Sequence, residues 1–110
     1  MSSEWRRFEV LLPLQFNDGR EVPGEWLAEA VREIVGRFGA ASYEPQKIQG
    51  HWRHGGVEYR DDLARLVVDV PDSDENRNWM KEFRRRWRAR LEQVELWVVS
   101  YRIEIEQGPA

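Results

Sequence analysis

The spacing of apolar residues predicts an α+β domain, a two-layer ferredoxin-like βαββαβ sandwich with a four-stranded antiparallel sheet and two helices on one face. Three observations predict it. Phe8, Val10, Leu12, Leu14 and Phe16 fall on alternate positions, as in a strand with one buried face. Leu27, Ala30, Val31, Ile34, Val35 and Phe38 recur at helical spacing. Gly55-Gly56 joins two longer runs in the manner of a hairpin turn. A chain of 110 residues makes this one domain, residues 1–110.

The first strand ends at the turn Asn17-Asp18-Gly19. Pro13 lies within it and cannot donate to a ladder, so it should sit at a bulge near the strand end if that strand is central. Pro23 and Glu25 open the first helix, and Gly39 caps it. Counting outward from Gly55-Gly56 pairs His54 with Val57, Arg53 with Glu58, and Trp52 with Tyr59. Leu66, Val68 and Val70 have the opposite parity to Tyr59, which predicts a bulge near Asp61-Asp62. Pro71 to Asn76 closes that strand and offers Asp or Ser as a helix N-cap. The second helix should bury Trp79, Met80, Phe83, Trp87, Leu91 and Val94. A last strand should bury Trp97, Val99, Tyr101, Ile103 and Ile105, and residues 107–110 form a short tail.

Composition narrows the function. With no cysteine there is neither a disulfide nor a thiolate metal site. No apolar leader or run of about 20 apolar residues is present, so the expected setting is the cytoplasm with no membrane contact. The net charge is −3, although Arg dominates the basic residues. No P-loop, nucleophile elbow or zinc-helix spacing appears, and no cofactor or metal is expected.

Three groups of residues remain as candidate sites. His54, Tyr59 and Asp61 share a hairpin face with Trp52, an acid–base set beside an aromatic wall that suits proton transfer. Cross-strand pairing explains the same residues without catalysis. Arg84, Arg85 and Arg88 form a basic helix face, either a solvated surface or an anion or nucleic-acid contact. Arg90 lies closer to the apolar stripe, where an ion pair or an anion would hold it.

The segments Trp5-Arg6-Arg7-Phe8-Glu9-Val10-Leu11-Leu12-Pro13-Leu14, Phe16-Asn17-Asp18-Gly19, Gly50-His51-Trp52-Arg53 and Val68-Asp69-Val70-Pro71-Asp72 resemble a family of short bacterial α+β proteins with no assigned activity. That resemblance spans nearly the full chain and implies a stand-alone cytosolic domain.

The leading expectation is a binding or regulatory domain without catalysis. It would form a homodimer through the sheet face that the helices leave open, using Trp5, Leu11, Leu96 and Val98, and the same face would suit a protein partner. The alternative is a small-molecule enzyme or ligand sensor resembling dimeric α+β barrels, with His54, Tyr59 and Asp61 as its catalytic candidates. A nucleic-acid binder comes third.

Overall fold

The computed structural model describes residues 4–106. Six elements follow in the order β1 (Trp5–Pro13), α1 (Gly24–Phe38), β2 (Ser42–His54), β3 (Val57–Pro71), α2 (Asp74–Arg90) and β4 (Val98–Ile103). The four strands make one sheet in the order β2-β3-β1-β4, with every neighbouring pair antiparallel. A separate bridge joins Gln15 to Glu21.

Alternation on β1 and β3 decides the core. Phe8, Val10 and Leu12 lie on one face with Ala64, Leu66, Val68 and Val70, all buried. Leu27, Ala30 and Ile34 of α1 and Met80, Phe83 and Trp87 of α2 close over that face, giving two layers. Gly39 ends α1 at φ 86, its N–H donating to Val35 O at 2.7 Å. The left-handed backbone there is the reason for glycine. Ser73 caps α2 by accepting the N–H of Asn76 at 3.1 Å. Among the described residues no helix is long and apolar enough to cross a membrane.

Pro13 is the last residue of β1, a central strand, yet it costs no ladder bond. β4 pairs with β1 only as far as Val10↔Val98, after which the Leu11 N–H reaches Trp97 O at 3.0 Å. The proline nitrogen falls beyond that end, where no acceptor strand runs.

The hairpin register is as read, from His54↔Val57 to Trp52↔Tyr59, and Gly55 and Gly56 take φ 58 and 79, as a type I′ turn requires. The expected bulge at Asp61-Asp62 is absent. Pairing runs unbroken to Ile48↔Leu63, and the register shifts on the other strand, between Glu44 and Ile48. The parity conflict has a simpler cause: Tyr59 and Asp61 lie on the open face of the sheet, while Leu66, Val68 and Val70 lie on the core face.

Two further expectations fail at the C-terminal end. α2 stops at Arg90, with Leu91 as its cap, so Val94 falls in the connection and is exposed. On β4 the core takes the other parity. Leu96 is 1% exposed and Val98 packs against the core, whereas Trp97 is 60% exposed.

Candidate functional site

β2 and β3 continue past the end of β1 as a two-stranded arm, because β1 pairs with β3 only from Leu63 to Pro71. At the base of this arm, on the open face, lies a cleft of about 520 Å³. Leu11, Pro13 and Leu63 make an apolar floor, Trp52, His54 and Asp61 form one wall, and residues 93–97 form the other. Gly50 keeps the floor accessible, since a Cβ there would stand 2.9 Å from Leu63 Cδ1.

The aromatic wall is fixed from both sides. Trp52 stacks on Tyr59 with ring centroids 4.3 Å apart and planes 15° apart, and its indole Nε1–H donates to Asp61 Oδ2 at 2.5 Å. His54 lies 6.4 Å from Trp52, ring to ring. Of the three candidate catalytic residues, His54 and Asp61 line the cleft, and Tyr59 supports Trp52 from behind. No hydrogen bond joins His54 to Asp61 among the described residues, so the carboxylate serves the indole. Opposite stand Glu95 and the exposed Trp97, with buried Gln93 beneath, its Nε2–H donating to Leu91 O at 3.0 Å. This second wall escaped the sequence because residues 93–97 reach the hairpin only through tertiary packing.

The other candidates divide. Trp5 and Leu11 lie on the open face by parity, whereas Leu96 and Val98 belong to the core, so the expected dimer face loses half of its named residues. The basic helix face is largely spent within the chain. Arg84 donates from Nε to Leu96 O at 2.9 Å and pairs with Glu95, and Arg88 donates to Val94 O at 3.3 Å. Together they tie down the wall of the cleft that no regular ladder holds. Arg85 pairs with Glu82. Arg90 holds Glu29 at 2.5 Å and lies over both Trp26 and Trp87, at 4.3 and 4.7 Å. It is therefore an internal clasp between the helices, and the anion reading of Arg90 falls away.

Elsewhere on the open face a charge ladder crosses the strands. Arg7 grips Asp69 through two bonds, Arg65 lies between Glu9 and Glu44, and the Tyr101 hydroxyl donates to Glu9 at 2.5 Å. That bond raises the Tyr101 pKa above its ordinary value, because it favours the protonated phenol.

Fold and cleft together define an α+β domain with a small-molecule-sized opening on the uncovered side of its sheet. No family model and no curated protein matches the chain. Solved structures similar to it in fold include two of a phage SAM lyase. A phage SAM lyase in complex with S-methyl-5'-thioadenosine aligns at 14% identity with a TM-score of 0.68, covering 99% of this chain and 96% of that one. A phage SAM lyase in the apo state aligns at 13% identity with a TM-score of 0.65, over 99% and 96% of the two chains.

Proposed function

We propose that this chain is a ferredoxin-like small-molecule-binding domain whose open-face cleft takes an adenosyl thioether or sulfonium, of the class of S-methyl-5'-thioadenosine and S-adenosylmethionine. The element order and the strand order β2-β3-β1-β4 support the fold name. The observation that carries the ligand is the Trp52–Tyr59 stack, locked by Asp61 at the edge of an apolar floor, on a fold similar to that of a phage SAM lyase.

The parts suit the ligand's chemistry. A purine offers a flat π surface to an indole already held rigid by a second ring. A methylthio group matches the floor of Leu11 and Leu63, and a sulfonium is a cation drawn to aromatic faces and to Glu95. A cleft of about 520 Å³ lies within the range of roughly 300–1,000 Å³ typical of such ligands.

Isothermal titration with each ligand tests this. Both should bind, and Trp52→Ala should weaken binding at least tenfold while the circular dichroism stays that of a folded chain. Absence of heat at millimolar ligand, or unchanged affinity in Trp52→Ala, would remove the reading. Turnover is the second reading, favoured by His54 and Asp61 on the cleft wall. It predicts cleavage of the sulfonium S–Cγ bond of S-adenosylmethionine as the substrate's own carboxylate closes on Cγ. S-methyl-5'-thioadenosine and the γ-lactone of the amino-acid portion should then appear together on chromatography, slowed by His54→Ala.

A further inference from the structure

The sheet has two edges of opposite character. On β2 the pairing shifts between Glu44 and Ile48, and that segment contains Pro45 and Lys47. A bulge, a proline and a lysine are the devices that stop an edge strand from recruiting another chain. β4 carries none of them. Its sequence is Val-Val-Ser-Tyr-Arg-Ile, and the chain continues as Glu104-Ile105-Glu106, acidic and apolar in alternation.

We propose that β4 pairs antiparallel with β4 of a second copy about a two-fold axis at Ile103, extending the sheet across the dimer. Backbone direction and charge select that register. The Trp97 carbonyl accepts from Leu11, so Trp97, Val99, Tyr101 and Ile103 turn their backbone groups toward β1. Ser100 and Arg102 turn theirs outward, as does Glu104 where the strand is continued. Outward residues must meet outward residues. Centring on Arg102 would set two guanidinium groups face to face, and centring on Tyr101 would oppose Arg102 to Ser100 and Glu104 to Val98.

Centring on Ile103 opposes Arg102 to Glu104 twice, Tyr101 to Ile105 twice, and Ile103 to itself. Tyr101 and Ile105 are 44% and 37% exposed in the single chain, so each has apolar area to bury. Glu106 falls opposite Ser100 of the other copy. Ser100 borders a groove whose charged lining residues are Arg77, Lys81 and Arg84, so this acidic end meets a cationic strip. Arg102 contacts Asp72 at 3.3 Å and Glu4 at 3.7 Å yet remains 66% exposed in its side chain, with donors left for a further carboxylate.

Sedimentation equilibrium of the full chain at low salt tests the pairing. The wild type should be a dimer, and Glu104→Arg should raise the dissociation constant at least tenfold by placing like charges opposite. The double variant Arg102→Glu with Glu104→Arg should recover dimerisation, because the swapped charges pair again. Glu104→Pro, at the position just past β4, deletes one outward N–H and should also dissociate the dimer while leaving the monomer's circular dichroism unchanged. A wild type that stays monomeric at a loading of about 100 μM would overturn the proposal, because association of identical chains is favoured by concentration. So would a dimer that survives both Glu104→Arg and Glu104→Pro, which would place the contact on another surface.

Discussion

Trp87→Ala should destabilise the folded chain by about 3–5 kcal/mol, the cost of truncating a fully buried aromatic. Trp87 is 2% exposed at the centre of the helical layer, packed on Phe83 at 6.1 Å between ring centroids. Its indole Nε1–H donates to Glu33 Oε2 at 2.7 Å, and the Arg90 guanidinium covers its ring. Truncation opens a cavity, removes a hydrogen bond that joins α2 to α1, and takes away one of the two rings that hold Arg90. A domain of this size commands about 5–15 kcal/mol in total, so the variant gives up between about a fifth and nearly all of its stability. Urea denaturation measures the loss. Trp87→Phe separates the contributions, because it keeps most of the packing and deletes the bond to Glu33, and it should cost about 1–3 kcal/mol. Equal losses in the two variants would show that packing of the indole is not the dominant contribution.

Asp72→Asn should lower the thermal midpoint by several degrees at neutral pH and flatten its dependence on acid. The Asp72 carboxylate is 2% accessible and collects three arginines: Arg6 at 3.0 Å, Arg77 at 2.5 Å and Arg102 at 3.3 Å. The bond from Arg6, with the positive charges of all three, holds its pKa below the ordinary aspartate value. A carboxylate with a depressed folded-state pKa contributes its stability in full above the unfolded value, near about 4, and loses it as pH falls through the folded value. Asparagine cannot supply that term, so the variant and wild-type curves should diverge at neutral pH and converge as pH falls through the lowered folded-state value of Asp72. Asp18, held by the backbone N–H and guanidinium of Arg20, and Glu82, held by Arg85, shift in the same direction, but both are exposed and contribute little. Parallel midpoint curves from pH 2 to 7 in the two proteins would show that Asp72 is not the group that titrates.

Much of the fold was legible because β1, α1 and the hairpin obey one period each. The buried face of β1 was visible in Phe8, Val10 and Leu12, although the strand stops at Pro13 and Leu14 and Phe16 follow it outside the ladder. The Gly55-Gly56 turn set the register of its strands correctly. β4 misled for a physical reason. From Leu96 to Ile105 both parities carry apolar residues, and the larger ones lie on the odd positions. Size alone therefore pointed the wrong way. The core beneath α2 has room for Leu96 and Val98, and Trp97 and Tyr101 face outward on the open side.

The candidate site was half legible. Period-two alternation set Trp52, His54, Tyr59 and Asp61 on one face, which the structure shows. Alternation says nothing about which face the rest of the chain covers, so in the sequence alone the parity conflict at Leu66 looks the same as a bulge. Nor could a helical wheel show that Arg84 and Arg88 bind the carbonyls of Leu96 and Val94, since those acceptors come from an irregular connection. The cleft's second wall depends on just those bonds.

The position of β1 between β3 and β4 also fixes when the molecule can finish folding. Arg6 bonds to Asp72, 66 residues further on, and to Ser100, 94 residues further on. During synthesis the chain can form α1 and the β2–β3 arm early, from local contacts. The central strand must then wait, with one edge open, until the last strand emerges. Such long-range closure slows folding and leaves an apolar strand exposed to neighbouring nascent chains. The strand made first is thus the last to be enclosed.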